Sequence, residues 1–284
     1  YTFTDDSITT GMQGMMFPAF AIPVLSLVFV VWAIASRRLS LAAKRRSMLG
    51  SILLASGVWI LLRSDGMTGD ARIDLAWRWS RTSEEKLISQ SSTLKGSATP
   101  VSISTEVEAE WPGFRGVGRD NKIEDLRIDT DWKASPPQEL WRKPVGPGCS
   151  SFAVHGNLMF TQEQLGENEI VSCYDLDSGD PIWKYSYEAR FWDSHAGAGP
   201  RSTPTLNKGR VYAMGATGIL TVLNMADGSL IWSRNAASET GIESREWGFA
   251  SSPLVVNDMV IVALSGKLAA YDIQTGEPRW FGPD

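Results

Sequence analysis

Two uninterrupted apolar runs open the chain. Residues 17–35, FPAFAIPVLSLVFVVWAIA, hold no charge over nineteen positions, enough at about 1.5 Å per residue to cross a hydrocarbon core of roughly 30 Å. They predict a transmembrane helix, with Pro18 harmless in the first turn and Pro23 set to kink the outer end. A cleaved leader needs basic residues ahead of its apolar core, whereas Asp5 and Asp6 are the only charges there. The second run, residues 48–62, has fifteen positions, below the usual range of about 17 to 25. It predicts a shorter span, extended by Ser47 and a snorkelling Arg63. Between the runs lie Arg37, Arg38, Lys44, Arg45 and Arg46 with no acidic residue. That bias puts the connection in the cytoplasm and both flanks outside, whereas core helices of a small soluble domain rarely carry runs so free of polar positions. Residues 1–63 therefore read as a membrane anchor, a transmembrane helical hairpin in contact with the lipid bilayer.

From 64 to 110 the pattern loses its period and becomes rich in Ser and Thr, the composition of a polar linker. Within it, Trp77 and Trp79 stand two apart, which suits either a short strand or a position at the membrane surface. The segment WPGFRGVGRDN, 111–121, opens the folded region. Its likeness to a dinucleotide fingerprint is superficial, because the third Gly is absent and neither a buried strand nor a helix flanks it.

Beyond it the pattern becomes β-like and repeats. Gly179/Trp183, Gly228/Trp232 and Gly276/Trp280 each set a Gly four residues before a Trp, the Trp residues being 49 and 48 apart, with Trp141 a further 42 upstream of the first. This spacing suits propeller blades rather than helical hairpins. Each pair follows a turn, Asp177-Ser178-Gly179, Ala226-Asp227-Gly228 or Gln274-Thr275-Gly276, that supplies Gly where a tight hairpin needs positive φ. An indole at one fixed place in every four-stranded sheet can pack on the next sheet, so Trp183, Trp232 and Trp280 are expected to be structural docking residues.

The segment Ala270-Tyr271-Asp272-Ile273-Gln274-Thr275-Gly276-Glu277-Pro278-Arg279-Trp280 resembles the AxDxxTGxxxW tryptophan-docking motif of the pyrroloquinoline-quinone-like (quinoprotein) propeller family at every defined position. Residues 173–183 resemble it with Cys173 for Ala and Ser178 for Thr, and residues 222–232 keep only Gly228 and Trp232. The order of anchor, linker, WPGFRG opening and repeats is similar to the membrane-anchored bacterial members. The resemblance implies an all-β propeller over 111–284. Because the chain starts at Tyr1 and stops soon after Trp280, it reads as a fragment, with an incomplete ring of about three to four four-stranded blades.

Charge and composition narrow the chemistry. The net charge of −5 argues against a nucleic-acid partner. Two Cys and two His, scattered, leave no zinc-like set, so no metal site is expected. Cys149 and Cys173 suit a pair in an oxidising compartment or, for Cys173, a buried thiol where the motif prefers Ala. Small hydroxyl residues recur at Ser151, Thr203 and Ser252, at intervals of 52 and 49. If they start the innermost strands they line the channel mouth, and otherwise they cap strands or fit a crowded axis. Gln162 and Glu163 lie in the first central hairpin. Arg190, Trp192, His195, Arg201 and Trp247 crowd the loops that lead into the next blades. Together Gln162, Glu163, Arg190, Trp192, His195, Arg201, Thr203, Trp247 and Ser252 are the candidate ligand-binding set. Its aromatic rings and guanidinium forks suit a protein, peptide or glycan ligand, and a solvated salt-bridge rim accounts for the charges equally.

No catalytic residue stands out. The expected function is a membrane-tethered extracytoplasmic scaffold for binding or assembly, needing no cofactor. The resemblance implies a location in the bacterial inner membrane, with the propeller on the periplasmic side. It also implies an alternative, a dehydrogenase of alcohols or sugars that uses pyrroloquinoline quinone and calcium. Against that, the vicinal Cys pair that packs on the quinone in many such enzymes is absent, and any remaining cofactor ligands would belong to missing blades.

Overall fold

The computed structural model describes residues 3–11, 14–67, 73–91, 108–123, 126–193 and 196–283. The chain divides into two compact units: residues 1–82 with 193–197, and residues 83–192 with 198–284.

In the first unit a short α1 (Asp6–Thr9) precedes α2 (Met16–Ala35) and α3 (Leu41–Leu61), which pack as an antiparallel pair. Phe17 at the start of α2 meets Trp59 near the end of α3 edge-on, with ring centroids 6.2 Å apart. At the opposite end the Trp32 indole donates to Ser47 Oγ at 2.9 Å. Pro23 sits inside a continuous α2. Both helices leave large apolar side chains uncovered, among them Leu27 and Leu54. Among the described residues α2 is the helix long and apolar enough to cross a bilayer. The second apolar run belongs to a longer helix than expected, because α3 starts upstream of Lys44, Arg45 and Arg46 and carries them in its first turns. After it, β1 (Leu62–Met67) and β2 (Ile73–Trp77) form an antiparallel pair, which settles Trp77 on a strand. Trp79 stacks on Trp77 at 5.2 Å.

The second unit begins with α4 (Ser83–Ser91). Thereafter come three four-stranded antiparallel meanders. Blade 1 is β3 (Ala153–His155), β4 (Leu158–Leu165), β5 (Asn168–Asp175) and β6 (Pro181–Glu188). Next in chain order comes a small pair, β7 (Trp192–Asp193) with β8 (Gly197–Ala198), of which Asp193 and Gly197 are counted with the first unit. Blade 2 is β9 (Thr205–Asn207), β10 (Arg210–Met214), β11 (Ile219–Asn224) and β12 (Leu230–Asn235). After the single turn α5 (Ala236–Thr240), blade 3 is β13 (Leu254–Val256), β14 (Met259–Leu264), β15 (Lys267–Asp272) and β16 (Pro278–Phe281).

The three tryptophans occupy equivalent places. The cross-strand rows read Ala153–Phe160–Cys173–Trp183, Thr205–Tyr212–Val222–Trp232 and Leu254–Ile261–Ala270–Trp280, and a register shift follows the third residue of every row. Small residues at Cys173, Val222 and Ala270 leave room for the indole beside them. Neighbouring blades also touch through their first strands, β3 with β9 and β9 with β13, which therefore form the inner edge of the arc.

Docking of each Trp on the next blade builds the core. The indoles of Trp141, Trp183 and Trp232 donate to the carbonyls of Leu176, Met225 and Ile273 at 3.0, 3.0 and 3.2 Å. Their rings lie where a Cβ on Gly179, Gly228 or Gly276 would stand, within 2.5 to 2.6 Å. These glycines have φ of 69°, 70° and 71°, so the turn needs Gly for its backbone and for its lack of a side chain. An apolar cluster including Phe160, Val171, Cys173, Trp183 and Leu223 fills the seam between blades 1 and 2. Another, including Tyr212, Leu220, Trp232, Val260 and Tyr271, fills the seam between blades 2 and 3. Trp280 has no following blade within the chain and is 39% exposed, against 5% for Trp183.

Candidate functional site

The recurring hydroxyl residues stitch the inner edge together. Ser151 N–H donates to Thr203 Oγ1 at 3.0 Å, and Thr203 N–H donates to Ser252 Oγ at 2.9 Å, so the bond passes from blade 1 to blade 2 to blade 3. Thr205 Oγ1 adds a bond to Pro253 O at 2.6 Å. Thr203 and Ser252 are buried, their polar atoms turned toward the neighbouring blade.

The opening segment runs along the same edge. Trp111 and Val154 exchange two backbone bonds, Leu206 N–H donates to Pro112 O at 2.7 Å, and Arg119 Nη2 donates to Pro253 O at 2.5 Å. Residues 111–119 thus touch all three blades. Two of the glycines make this possible: Gly113 approaches Pro204 O and Thr205, and Gly116, at φ 80°, lies against the Trp111 ring.

Gln162 and Glu163 point to opposite sides of β4, as strand alternation requires. Gln162 Nε2 reaches Ser202 O and Oγ in blade 2, both at 3.0 Å. Glu163 turns the other way and is 1% exposed. Its carboxylate accepts from Gly146 N–H at 2.6 Å, Ser172 Oγ at 2.5 Å, Tyr174 OH at 2.7 Å and Lys184 Nζ at 2.7 Å. Burial alone would raise its pKa, but the Lys184 ammonium and these donors hold it below the ordinary carboxylate value.

Arg190 forms a fork on Glu84 of α4, Nη1 to Oε1 at 3.0 Å and Nη2 to Oε2 at 3.2 Å, and also donates to Gly166 O. Glu84 Oε1 accepts Gly166 N–H at 2.7 Å as well, so one carboxylate pins α4 to the β4–β5 hairpin. Part of the stretch expected to be a polar linker is therefore fastened to blade 1.

The remaining members, exposed Trp192 and Trp247 and half-buried Arg201, lie in the segments between blades. Arg201 stacks its guanidinium 5.0 Å from the Phe191 ring centroid and reaches Cys149 Sγ at 3.6 Å. Phe191 also lies against Gly248, where a Cβ would come within 2.9 Å of the ring. This contact connects the neighbourhoods of Trp192 and Trp247, which are 43% and 50% exposed. His195 falls outside the described residues. The structure thus brings Trp192, Arg201 and Trp247 to one pair of loops and commits Gln162, Glu163, Arg190, Thr203 and Ser252 to bonds inside the fold.

Sequence reasoning missed Glu169. This β5 side chain is fully buried and accepts from Tyr187 OH at 2.8 Å and from Ala216 N–H of blade 2 at 3.0 Å. Burial raises its pKa, against the pull of Tyr187, Ala216 and the Arg201 charge. Gly215 leaves the carboxylate the space that a Cβ would take. The only advance signal was an acid inside a strand otherwise rich in β-formers, NEIVSCYD. A separate cleft of about 320 Å³ between Trp141, Val145 and the outer side of blade 1 lies among none of the candidate residues.

Cys149 is exposed whereas Cys173 is buried in the seam, and among the described residues no three His, Cys, Asp or Glu side chains converge as a metal site.

Sheets fastened edge to edge by tryptophans that dock on glycine turns define a β-propeller of the quinoprotein-like class. The PQQ_2 family model, described as "Outer membrane protein assembly factor BamB", matches residues 132–283, and the chain belongs to that family. Curated relatives include the outer membrane protein assembly factor BamB of Shewanella oneidensis, 28% identical over 155 residues, and that of Yersinia pestis, 26% identical over 153 residues. Each match covers 51% of this chain and 36% of the relative, so the chain spans little more than a third of their length. Similar solved structures include BamB from Moraxella catarrhalis, with 18% identity, a TM-score of 0.31, and 48% of this chain and 35% of that one covered. The quinohemoprotein alcohol dehydrogenase from Comamonas testosteroni has 18% identity and a TM-score of 0.46, covering 70% and 30%.

Proposed function

We propose that this protein is a membrane-tethered, extracytoplasmic propeller that serves as a binding or assembly scaffold, is not an enzyme and needs no cofactor. The observation that carries this reading is the use made of its polar groups. Thr203, Ser252 and Gln162 bond one blade to the next, Glu163 bonds within blade 1 and to Gly146, and all four are spent on rigidity. Trp192 and Trp247 keep aromatic surface outside near the half-buried Arg201, residue types that carry most binding energy at protein interfaces. The relatives are named as assembly factors for outer membrane proteins, so a polypeptide is the ligand class proposed for this surface. In this reading α2 and the shorter α3 cross the inner membrane as a hairpin, with the arginine-rich bend in the cytoplasm and the blades on the periplasmic side.

The test places a photoreactive aromatic residue at Trp192 or Trp247 in the full chain in bacterial membranes. A companion assay offers the purified chain pyrroloquinoline quinone, calcium, an alcohol or sugar, and a reducible dye. Discrete protein adducts that fade with Arg201→Ala, without dye reduction, are expected. Quinone absorbance retained by the protein together with dye reduction would replace the scaffold with a dehydrogenase.

A further inference from the structure

The bend between α2 and α3 concentrates positive charge without internal compensation. Ser36 caps α2 and Ser40 caps α3, its Oγ accepting from Ala43 N–H, so only residues 36–40 separate the helices. Arg37 and Arg38 occupy this turn, while Lys44, Arg45 and Arg46 follow within the first turns of α3, at most about 8 Å along its axis. The Trp32–Ser47 bond ties the two limbs together just beyond them, which holds the five cations at one level. None of the five has an acidic partner among the described residues, and residues 36–64 contain no Asp or Glu. Leu39, Leu41 and Leu49, exposed at 44%, 67% and 61%, alternate with the charges. Such a surface is apolar and cationic at once.

We propose that this bend is a binding site for the phosphodiester headgroups of anionic glycerophospholipids. The inference rests on the membrane anchoring argued above. The length of α3 selects a lipid over a soluble anion. Its charge-free stretch from Ser47 to Leu61 rises about 21 Å, short of a hydrocarbon core of roughly 30 Å. Spanning the bilayer therefore draws Lys44, Arg45 and Arg46 to the boundary between acyl chains and headgroups, where long basic side chains snorkel to phosphate. Leu39, Leu41 and Leu49 then meet acyl chains, a contact that a free phosphate ion does not offer.

The full chain is floated with vesicles of phosphatidylcholine alone or of phosphatidylcholine with phosphatidylglycerol, and lipids retained after detergent extraction are identified by native mass spectrometry. The expected result is flotation with both vesicles and selective retention of phosphatidylglycerol. Each Arg→Gln change at 37, 38, 45 or 46 should lower that retention roughly fivefold, high salt should weaken it, and Arg→Lys at the same positions should preserve it. Equal retention of the two lipids, survival of the preference in the combined Gln variant, or equal competition by inorganic phosphate overturns the headgroup site while leaving the anchor intact. Failure to float with either vesicle overturns the anchor and the site together.

Discussion

Trp183 donates its indole N–H to Met225 O of the following blade at 3.0 Å, with its ring pressed on the Gly228 turn of that blade. Trp232 repeats the arrangement one blade on. The chain is therefore read in register by a side chain that serves two sheets, buried in one and bonded to the other.

The first prediction concerns the receiving turns. Gly228→Ala puts a methyl group 2.5 Å from Trp183 Cε3 at φ 70°, where both the ring and the backbone resist. The expected loss is about 3 kcal/mol, from overpacking added to left-handed strain. Gly156→Ala is the control, because its φ of 56° carries the backbone strain but nothing lies within 4 Å of the added methyl. It should cost about 1 kcal/mol. Urea midpoints of the variants measure the difference, and equal losses would refute the docking account.

Much of this architecture was legible because docking constrains two positions at once: a Trp and a Gly four residues earlier leave a period that no core of scattered aliphatics leaves. The blade rows through Cys173, Val222 and Ala270 follow from the same motif. The site was less legible. Thr203 and Ser252 recur at blade intervals whether they face a channel or a neighbouring blade, and only coordinates tell these apart. The partner of Arg190 lies 106 residues upstream, in a segment whose composition reads as a tether. Glu169 was invisible because one acid in a strand carries no mark of whether it points to water or to the next blade.

Hydroxyl stitching gives the second prediction. Ser252→Ala strips the acceptor from the buried Thr203 N–H and should destabilise the protein by about 1–2 kcal/mol. Thr203→Ser keeps the acceptor for Ser151 N–H and should cost less than Thr203→Val, which removes it. Thermal unfolding gives the ranking. A ligand role for these hydroxyls would instead leave all three variants as stable as the parent.

The two buried glutamates should respond to acid in opposite directions. The folded pKa of Glu163 lies below its ordinary 4.5, so its contribution to stability is fully present above that value and fades as pH falls through the folded pKa. The folded pKa of Glu169 lies above 4.5, so its ionised form weakens the fold above that pKa, and the penalty disappears as pH falls toward 4.5. Glu163→Gln should accordingly flatten the loss of melting temperature below pH 4.5, and lower stability near neutrality by about 2–3 kcal/mol because Lys184 and the hydroxyls lose a charged acceptor. Glu169→Gln should flatten the profile on the other side, above pH 4.5. Parallel pH profiles for both variants would contradict the assignment.

The last prediction separates a fastened α4 from a loose one. Glu84 is half of a forked pair with Arg190 and also accepts Gly166 N–H, and Ile88 packs one turn further on against the same hairpin. Arg190 is partly exposed, so the pair is screened and its removal is worth about 1 kcal/mol. If α4 closes on blade 1 through this contact, Glu84→Gln raises hydrogen exchange across residues 83–91 about fivefold and also loosens the Gly166 turn, while Lys86→Gln on the exposed side changes neither. The coupling of two segments so distant in sequence is the informative part, because a helix that merely formed within a polar tether would respond to propensity alone and leave the β4–β5 hairpin untouched.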